Sequence, residues 1–455
     1  MTEIKAPSEF EQDFLNEHAK IARKVCKIDA PLYDVYSVKR GLRNADGSGV
    51  LVGLTEIGEV HGYIMDEKER VAIEGNLYYR GINIYDLTEG FVKEHRFGFE
   101  ETIYLLLFGE LPTKQQLSDF TVLMDSYREL PDDFIDTILK APSSNLMNKL
   151  ARSVLTMYSF DRNPEGRMFK TQLRQCIQLI SCFPAMLAYG YQSKSHYYDR
   201  TSLFIHRPVA GLSTAENFLR LIRPDASVKQ VEAEVLDLAL MLHAEHGGGN
   251  NSTFTAHVVS SADTDIYSSI AAAIGSLKGL KHGGANIKVI EMIDNIKENV
   301  SNWEDEQELT AYLTKIIDKE AFNRTGLVYG MGHAVYTKSD PRAIIFKKKV
   351  AELVVDKNRQ AEFNLYQKIE EITPKIFADV KKSTKVIAAN VDFYSGFVYD
   401  MLGIPADLYT GIFAMARVAG WSAHILEEIV SGGRIIRPAY KSVSKRRPYI
   451  PLDQR

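Results

Sequence analysis

The sequence predicts a mainly α protein. Three observations carry that prediction. Apolar residues recur at helical spacing along most of the chain. Strand signals are confined to one short segment near the N-terminus. No β–α–β alternation, internal repeat or low-complexity segment is present.

Taken in order, VHGYIMDEKERVAIEGNLYYRG reads as a short hairpin. FEETIYLLLFGELPTKQQL reads as a helix, a glycine break and a new helix start at Pro112-Thr113. NKLARSVLTMYSF is another helix. In VKQVEAEVLDLALMLHAEH, Val228, Val231, Val235, Leu238 and Leu242 fall on one stripe. That run carries His243 and His246 to its C-terminal end, where Gly247, Gly248 and Gly249 stop it. Ile293, Ile296 and Val300 follow GGAN at helical spacing, so a helix opens near Asn286. In SDPRAIIFKKKVAELVV, Asp340 suits the cap and Pro341 the first helical position. GIFAMARVAGWSAHILEEIV closes the helical series. Glycine clusters near 247–249, 283–284, 330–332 and 432–433 bracket a segment, 283–396, that is expected to move as a unit.

The bulk numbers narrow the function. The chain has 455 residues, 45% hydrophobic and 25% charged, with a formal net charge of −4. That is an ordinary globular composition with no basic excess, so nucleic acid is a poor partner. Cys26, Cys176 and Cys182 make neither a metal-ligand spacing nor a disulfide framework and fit a reducing compartment. The N-terminus MTEIKAPSEFEQDF is acidic and lacks the apolar core of a signal peptide. No apolar run approaches the roughly 20 residues that span a bilayer. A cytoplasmic protein is expected.

Three stretches place a titratable residue among small residues or in a loop: KHGGAN, GMGHAVYTKSDPR and NVDFYSG. His282 lies just before a helix start, whose positive end disfavours imidazolium and keeps the ring neutral. His333 follows the bend Gly330-Met331-Gly332. Asp392 precedes Phe393 and Tyr394, where partial desolvation raises a carboxylate's basicity. Two histidines and a carboxylate are the tools for taking a proton from carbon and stabilising the enolate. Singly, each also has an ordinary structural reading as a loop histidine or a turn aspartate.

Arginines supply a second test. Arg417 sits in AMARVAGW, among residues that ask for burial, and a buried guanidinium needs an anion. Arg342 is in the first turn of the DPR helix, a good carboxylate site. Arg437 precedes Pro438 in an extended stretch, where a surface position is the ordinary reading. Together the three suit a small dicarboxylate. His243 and His246 have i, i+3 spacing but no clear third ligand, so no metal is expected.

Read together, these motifs resemble the citrate synthase family. The resemblance runs from NLYYRGINIYDL through FEETIYLLLFGELPTKQQL, LSTAENFLRLI, LHAEHGGGNNSTFTAH, GLKHGGAN, GMGHAVYTKSDPRA and NVDFYSGFVYDMLGIP to RIIRP. It implies a two-domain helical homodimer, with residues 1–282 and 397–455 forming a large domain and 283–396 a small one. The small domain closes over oxaloacetate and creates the acetyl-CoA site. By motif, Asp392 removes the methyl proton, His282 stabilises the enol, and His333 polarises and protonates the oxaloacetate carbonyl. His246, Arg342 and Arg417 hold oxaloacetate, Arg437 reaches in from the other subunit, and His243 is a neighbour. Tyr329, Gly330, Met331 and Gly332 form the loop near coenzyme A. No cofactor stays bound; acetyl-CoA is a co-substrate.

Two departures stand out. Many members have Gly-Pro-Leu before the first histidine, where this chain has Gly279-Leu280-Lys281, and many have Pro-Gly-Phe-Gly where it has Tyr329-Gly330-Met331-Gly332. The nearest rival is 2-methylcitrate synthase, which uses propionyl-CoA. One methylene changes discrimination by only about 1–3 kcal/mol. A non-catalytic binding protein on the same fold predicts the loss of a chemical group, yet all are present. A zinc hydrolase built on HAEH predicts stoichiometric metal.

Overall fold

The computed structural model describes residues 8–44, 46–66, 69–333, 335–382, 386–431 and 433–454. The first seven residues, Ala45, Glu67, Lys68, Ala334, residues 383–385, Gly432 and Arg455 lie outside them. By internal contacts the chain forms two compact units, one ending at Leu54 and one running from Thr55 onward. The first unit holds α1 (Glu9–Val25) and α2 (Pro31–Val35), and its apolar residues Phe10, Phe14, Leu15 and Ile21 are exposed.

The second unit begins with the hairpin. β1 (Gly58–Asp66) and β2 (Glu69–Tyr79) pair antiparallel with a register shift between His61 and Tyr63, and β3 (Ile82–Asn83) extends the sheet. Helices then follow: α3 (Ile84–Glu94), α4 (Phe99–Phe108), α5 (Lys114–Arg128), α6 (Asp132–Lys140), α7 (Leu146–Tyr158) and α8 (Phe169–Tyr197). After these come α9 (Thr214–Ile222), α10 (Gln230–His243), α11 (Asn251–Ser260) and α12 (Ile266–Leu277). The last six are α13 (Ala285–Asn299), α14 (Glu306–Ile317), α15 (Pro341–Lys357), α16 (Gln360–Lys381), α17 (Val391–Met401) and α18 (Tyr409–Val430). The mainly α expectation and the minor N-terminal hairpin both hold.

Local chemistry sets the boundaries. Gly109 ends α4 at φ 87°, and Thr113 with Gln116 forms a capping box that starts α5. The Asp340 side chain accepts from the Arg342 amide and starts α15, with Pro341 in its first turn. One boundary differs from expectation. α10 stops at His243 rather than carrying His246, because the chain turns at Ala244 and reaches φ 79° at Gly247. The two histidines therefore do not share a helical face.

α18 is buried around almost its whole circumference from Tyr409 to Leu426 and packs on α4, α8, α10, α11 and α12. Its sequence is apolar or small on every face, which is what a central helix of a large core requires. α8, 29 residues long with Pro184 inside it, is the other central helix. α13 and α15 pack on α17, and α14 on α16. Gly396 lies within α17, where a Cβ would sit 2.9 Å from Ile290 of α13. The hairpin approaches the segment before α15 so closely that only glycine fits: a Cβ at Gly75 would lie 2.2 Å from the Ser339 carbonyl oxygen.

Candidate active site

The exit of α10 is tied down first. The buried Tyr79 hydroxyl donates to the Met241 carbonyl at 2.9 Å and accepts from the Glu245 amide at 3.3 Å. The His243 ring bonds the Tyr399 hydroxyl at 3.1 Å, and its backbone carbonyl accepts from Arg417 Nε at 2.6 Å. The chain beyond then presents His246 edge-on to His333, with ring centres 5.2 Å apart, and to Tyr336 at 5.6 Å. Burial, then the nearby Arg342 guanidinium, holds the His246 ring well below the usual histidine range, so it is neutral. Its Nε2 is buried without a hydrogen-bond partner among the described residues.

A second wall joins two distant loops. Gly330 and Gly332 adopt φ 79° and 91°, a region glycine enters without steric cost. The bend lets the Gly332 amide donate to the Ala388 carbonyl at 2.7 Å, while the Asn390 amide donates to the Gly330 carbonyl at 2.9 Å. The Asn390 side chain donates to the Gly332 carbonyl at 2.8 Å and accepts from the Asp392 amide at 3.0 Å, capping α17. This clamp, with the isolated bridge between Met331 and Ala389, holds the segments that carry His333 and Asp392 together. His333 Nδ1 accepts from the Val335 and Tyr336 amides at 3.0 and 3.1 Å. A neutral His333 therefore carries its proton on Nε2. Burial pushes the Asp392 carboxyl up to about 6; Arg342 and Arg417 oppose the rise and Asp340 supports it.

The arginines are held differently. Asp340 takes Arg342 Nε and Nη2 at 3.0 and 2.8 Å, a buried two-pronged pair, and also receives the Val391 amide at 3.3 Å. Nη1 is outside those bonds. Arg417 is completely buried, lies 4.7 Å from the Phe413 ring centre, and has neither Nη1 nor Nη2 hydrogen-bonded among the described residues. Burial lowers its pKa to about 10, with Glu245 the largest opposing influence.

His282 sits in the turn between α12 and α13. Gly283 has to be glycine there, since a Cβ would lie 2.2 Å from the Leu277 carbonyl oxygen and 2.8 Å from Thr410 Cγ2. His282 Nε2 is 3.0 Å from the Ser252 hydroxyl, which also accepts from the Trp421 indole at 3.1 Å and lies 2.9 Å from Asn250 Oδ1. When Ser252 gives its single proton to His282 Nε2, the ring's own proton stands on Nδ1. The ring is neutral, as expected, but the main cause is burial and then Arg417, which lower its pKa to about 4.

Six of the expected residues thus share one electrostatic environment: His246 feels Arg342, His333, Arg417 and His282, and Asp392 feels both arginines. Arg437 does not join them within the chain. It is exposed in the extended tail, whose Ile436 amide donates to Ser261 at 3.1 Å. Tyr329 receives a bond from Asn323 at 2.9 Å, and Gly330 is pressed against Phe393. Sequence reasoning missed Asp340 as the partner of Arg342, the Ser252–Trp421 support of His282, and Tyr336. Among the described residues no group of three or more His, Cys, Asp and Glu is arranged to hold a metal.

Comparison with known proteins agrees with this geometry. The family profile "Citrate synthase, C-terminal domain" matches residues 45–439. The citrate synthase of Saccharolobus solfataricus is 32% identical over 92% of this chain and 99% of its own length. A 2-methylcitrate synthase of Corynebacterium glutamicum is 33% identical over 92% and 98%. The structure of the Thermoplasma acidophilum citrate synthase, solved with carboxymethyl coenzyme A and oxaloacetate, superposes with a TM-score of 0.75 at 27% identity, covering 92% of this chain and 99% of that one. With the profile covering most of the chain and relatives of over 30% identity along nearly its full length, the chain belongs to the citrate synthase family.

Proposed function

We propose that the chain condenses acetyl-CoA with oxaloacetate and water to give citrate and CoA. The observation that carries this is Arg417, a fully buried cation with two unpartnered Nη groups beside Arg342, His246 and Asp392. A buried unpaired cation is costly, and an oxaloacetate carboxylate relieves it with two charge-assisted bonds. Arg342 Nη1 and His246 Nε2 take the remaining oxygens. His333, with its proton on Nε2, donates to the ketone oxygen.

The chemistry then divides by pKa. Asp392, at about 6, is ionised at neutral pH yet basic enough to accept the acetyl methyl proton. A thioester methyl is a very weak acid, so the enol oxygen needs a donor already in place. His282 is neutral and gives the Nδ1 proton when Ser252 supports Nε2. The enol carbon attacks the ketone carbon, and His333 protonates the oxygen that becomes the citrate hydroxyl. Water then hydrolyses citryl-CoA.

On this reading residues 283–396, carrying α13 to α16 and the first half of α17, act as the small domain that closes over this site, with 1–282 and 397–455 as the large domain. Closure excludes water from the enol. The 329–332 loop meets coenzyme A, and Arg437 completes the site of a partner in a homodimer. No resident cofactor takes part, and the protein works in the cytoplasm; among the described residues no helix is long and apolar enough to cross a membrane.

The test is thiol release from acetyl-CoA and from propionyl-CoA, each with and without oxaloacetate. Oxaloacetate-dependent release with higher kcat/KM for acetyl-CoA supports the reading. Preference for propionyl-CoA moves the assignment to 2-methylcitrate synthase, the second reading favoured by the Corynebacterium relative. Folded protein releasing no thiol from either sinks the catalytic assignment.

A further inference from the structure

Behind the site, four titratable side chains outside the proposed chemistry run in a line from the core toward the surface. Glu245 Oε1 lies 3.1 Å from His424 Nε2, His424 Nδ1 lies 3.2 Å from His257 Nε2, and His257 Nδ1 lies 3.0 Å from Glu428 Oε2. Glu245 and His424 are completely buried, while the His257 and Glu428 side chains are 12% and 18% exposed. Three separate elements contribute: the turn after α10, helix α18 and helix α11.

Counting protons constrains this line. Each of the three contacts is a hydrogen bond only if it holds one proton. Two neutral imidazoles with both carboxylates ionised supply two protons, which leaves two lone pairs facing each other in one contact. Four protons on the imidazoles put two N–H groups face to face between them. Three protons satisfy every contact, and the four groups then carry a net charge of −1. Each of those protons can shift across its own bond, so the negative charge can sit at Glu245 or at Glu428 without any group leaving its place.

The inner end meets the substrate site. Glu245 precedes His246, and the carbonyl of His243, two residues earlier, holds Arg417 Nε. Burial works to raise the Glu245 carboxyl, but His424, Arg417 and the Gly247 amide outweigh it and hold it below the usual range. Glu245 Oε2 has no hydrogen-bond partner among the described residues. The other ionisable groups facing the line are Glu427, whose Oε2 is 3.9 Å from His424 Nδ1, and Tyr79 beside Glu245. From α8, Cys176 meets Ser422 of α18, and burial pushes that thiol up to about 12, so it brings no charge. The backbone of Gly433 passes close to Glu428 at the outer end.

We propose that Glu245, His424, His257 and Glu428 form a proton relay that sets the charge beside Arg417, so that proton uptake at the surface end strengthens binding of the oxo-dicarboxylate. The proposal rests on the assignment of that substrate to Arg417. Its sign follows from the count. With three protons the line carries −1; when rising pH removes the third, it carries −2 next to the site where a dianion binds. Above the range in which Asp392 ionises, KM for oxaloacetate therefore rises with pH while kcat stays level. The four side chains are positioning residues, since none touches substrate.

Glu428→Gln tests this at the outer, partly exposed end, where folding is least at risk. It removes a carboxylate that helps hold the third proton, so the rise in KM begins about one pH unit lower, with kcat unchanged. Imidazole resonances of His257 and His424 in ring-labelled protein should titrate over the same range and shift down in the variant. A KM profile identical in the two proteins, or a change in kcat alone, overturns the proposal. So do imidazole titrations that do not move. If wild-type protein gains no thermal stability from oxaloacetate, the substrate assignment fails instead, and the resonances still decide whether the relay exists.

Discussion

Replacing Arg417 by methionine separates what the guanidinium does for binding from what it does for folding. In the unliganded chain Arg417 is completely buried, and its pKa falls from 12.5 to about 10. At 1.36 kcal/mol per pH unit, that net fall corresponds to about 3 kcal/mol by which the site, with burial outweighing Glu245, disfavours the cation. Methionine has a comparable flexible apolar stem and no charge to desolvate. Against that gain stands the His243 carbonyl, which loses its donor at 2.6 Å and costs about 1–3 kcal/mol when left unpaired. The two effects nearly cancel, so the unliganded variant should melt close to wild type. Binding should behave otherwise. Removing one side of a buried charge pair costs about 3–5 kcal/mol, a loss of between about a hundred- and a few thousand-fold in oxaloacetate affinity. Thermal unfolding with and without oxaloacetate, together with KM, measures both quantities. A variant whose melting temperature still rises with oxaloacetate, and whose KM changes less than about tenfold (~1.4 kcal/mol), would refute the assignment.

Three other perturbations test neighbouring parts of the argument. Asp392→Asn should keep oxaloacetate binding and lose turnover, and the wild-type acid limb of kcat/KM should show an apparent pKa of about 6. The raised pKa also fixes a stability sign. The protonated form is favoured on folding, so Asp392 contributes most below its ordinary value of 3.8 and that contribution is lost as pH rises through about 6. Asp392→Asn should therefore raise the melting temperature above that range and leave it nearly unchanged well below it. Gly283→Ala puts a Cβ 2.2 Å from a backbone oxygen, so calorimetry should record about 1–3 kcal/mol of destabilisation or more, with displacement of His282 and loss of activity. Arg437→Ala mixed with Asp392→Asn should regain activity through heterodimers with one intact site; proven subunit exchange without recovery removes Arg437 from the partner's site.

The helices were legible because their signals are local. Gly109, the Thr113–Gln116 box and Asp340-Pro341 announce boundaries within a turn of where they act. The end of α10 was misplaced because His243 and His246 differ only in what the rest of the fold offers them: Tyr399 and Arg417 for one, His333 and Tyr336 for the other. Of the chemical residues, His282 and His333 could be picked out because each lies beside a glycine-rich turn, and Asp392 because it precedes Phe393 and Tyr394. Their support could not. Ser252 is 30 positions from His282 and 169 from Trp421, and Asn390 reaches back 58 positions to Gly332. Contacts at such separations leave no periodic trace. His282 shows the same limit in its electrostatics, since burial and an arginine 135 positions away keep it neutral rather than the adjacent helix start alone.

α18 shows why a local rule and a functional site can occupy the same residues. A helix apolar on all faces belongs in the core, and α18 is there. Arg417 and His424 violate that rule at the two points where the helix meets the turn after α10. The violation is left open in one place and closed in the other. His424 is satisfied by Glu245 and His257, so the chain itself supplies the compensation. Arg417 keeps two donors without acceptors, as His246 keeps one ring nitrogen. Under the proposed function, one small molecule bearing a carboxylate and a carbonyl would complete both at once. The unliganded protein is therefore less stable than its fold permits, by roughly the amount of an unpaired buried charge. On the proposed assignment, binding oxaloacetate removes that deficit, and free energy released there would favour the proposed closure of residues 283–396 over the thioester.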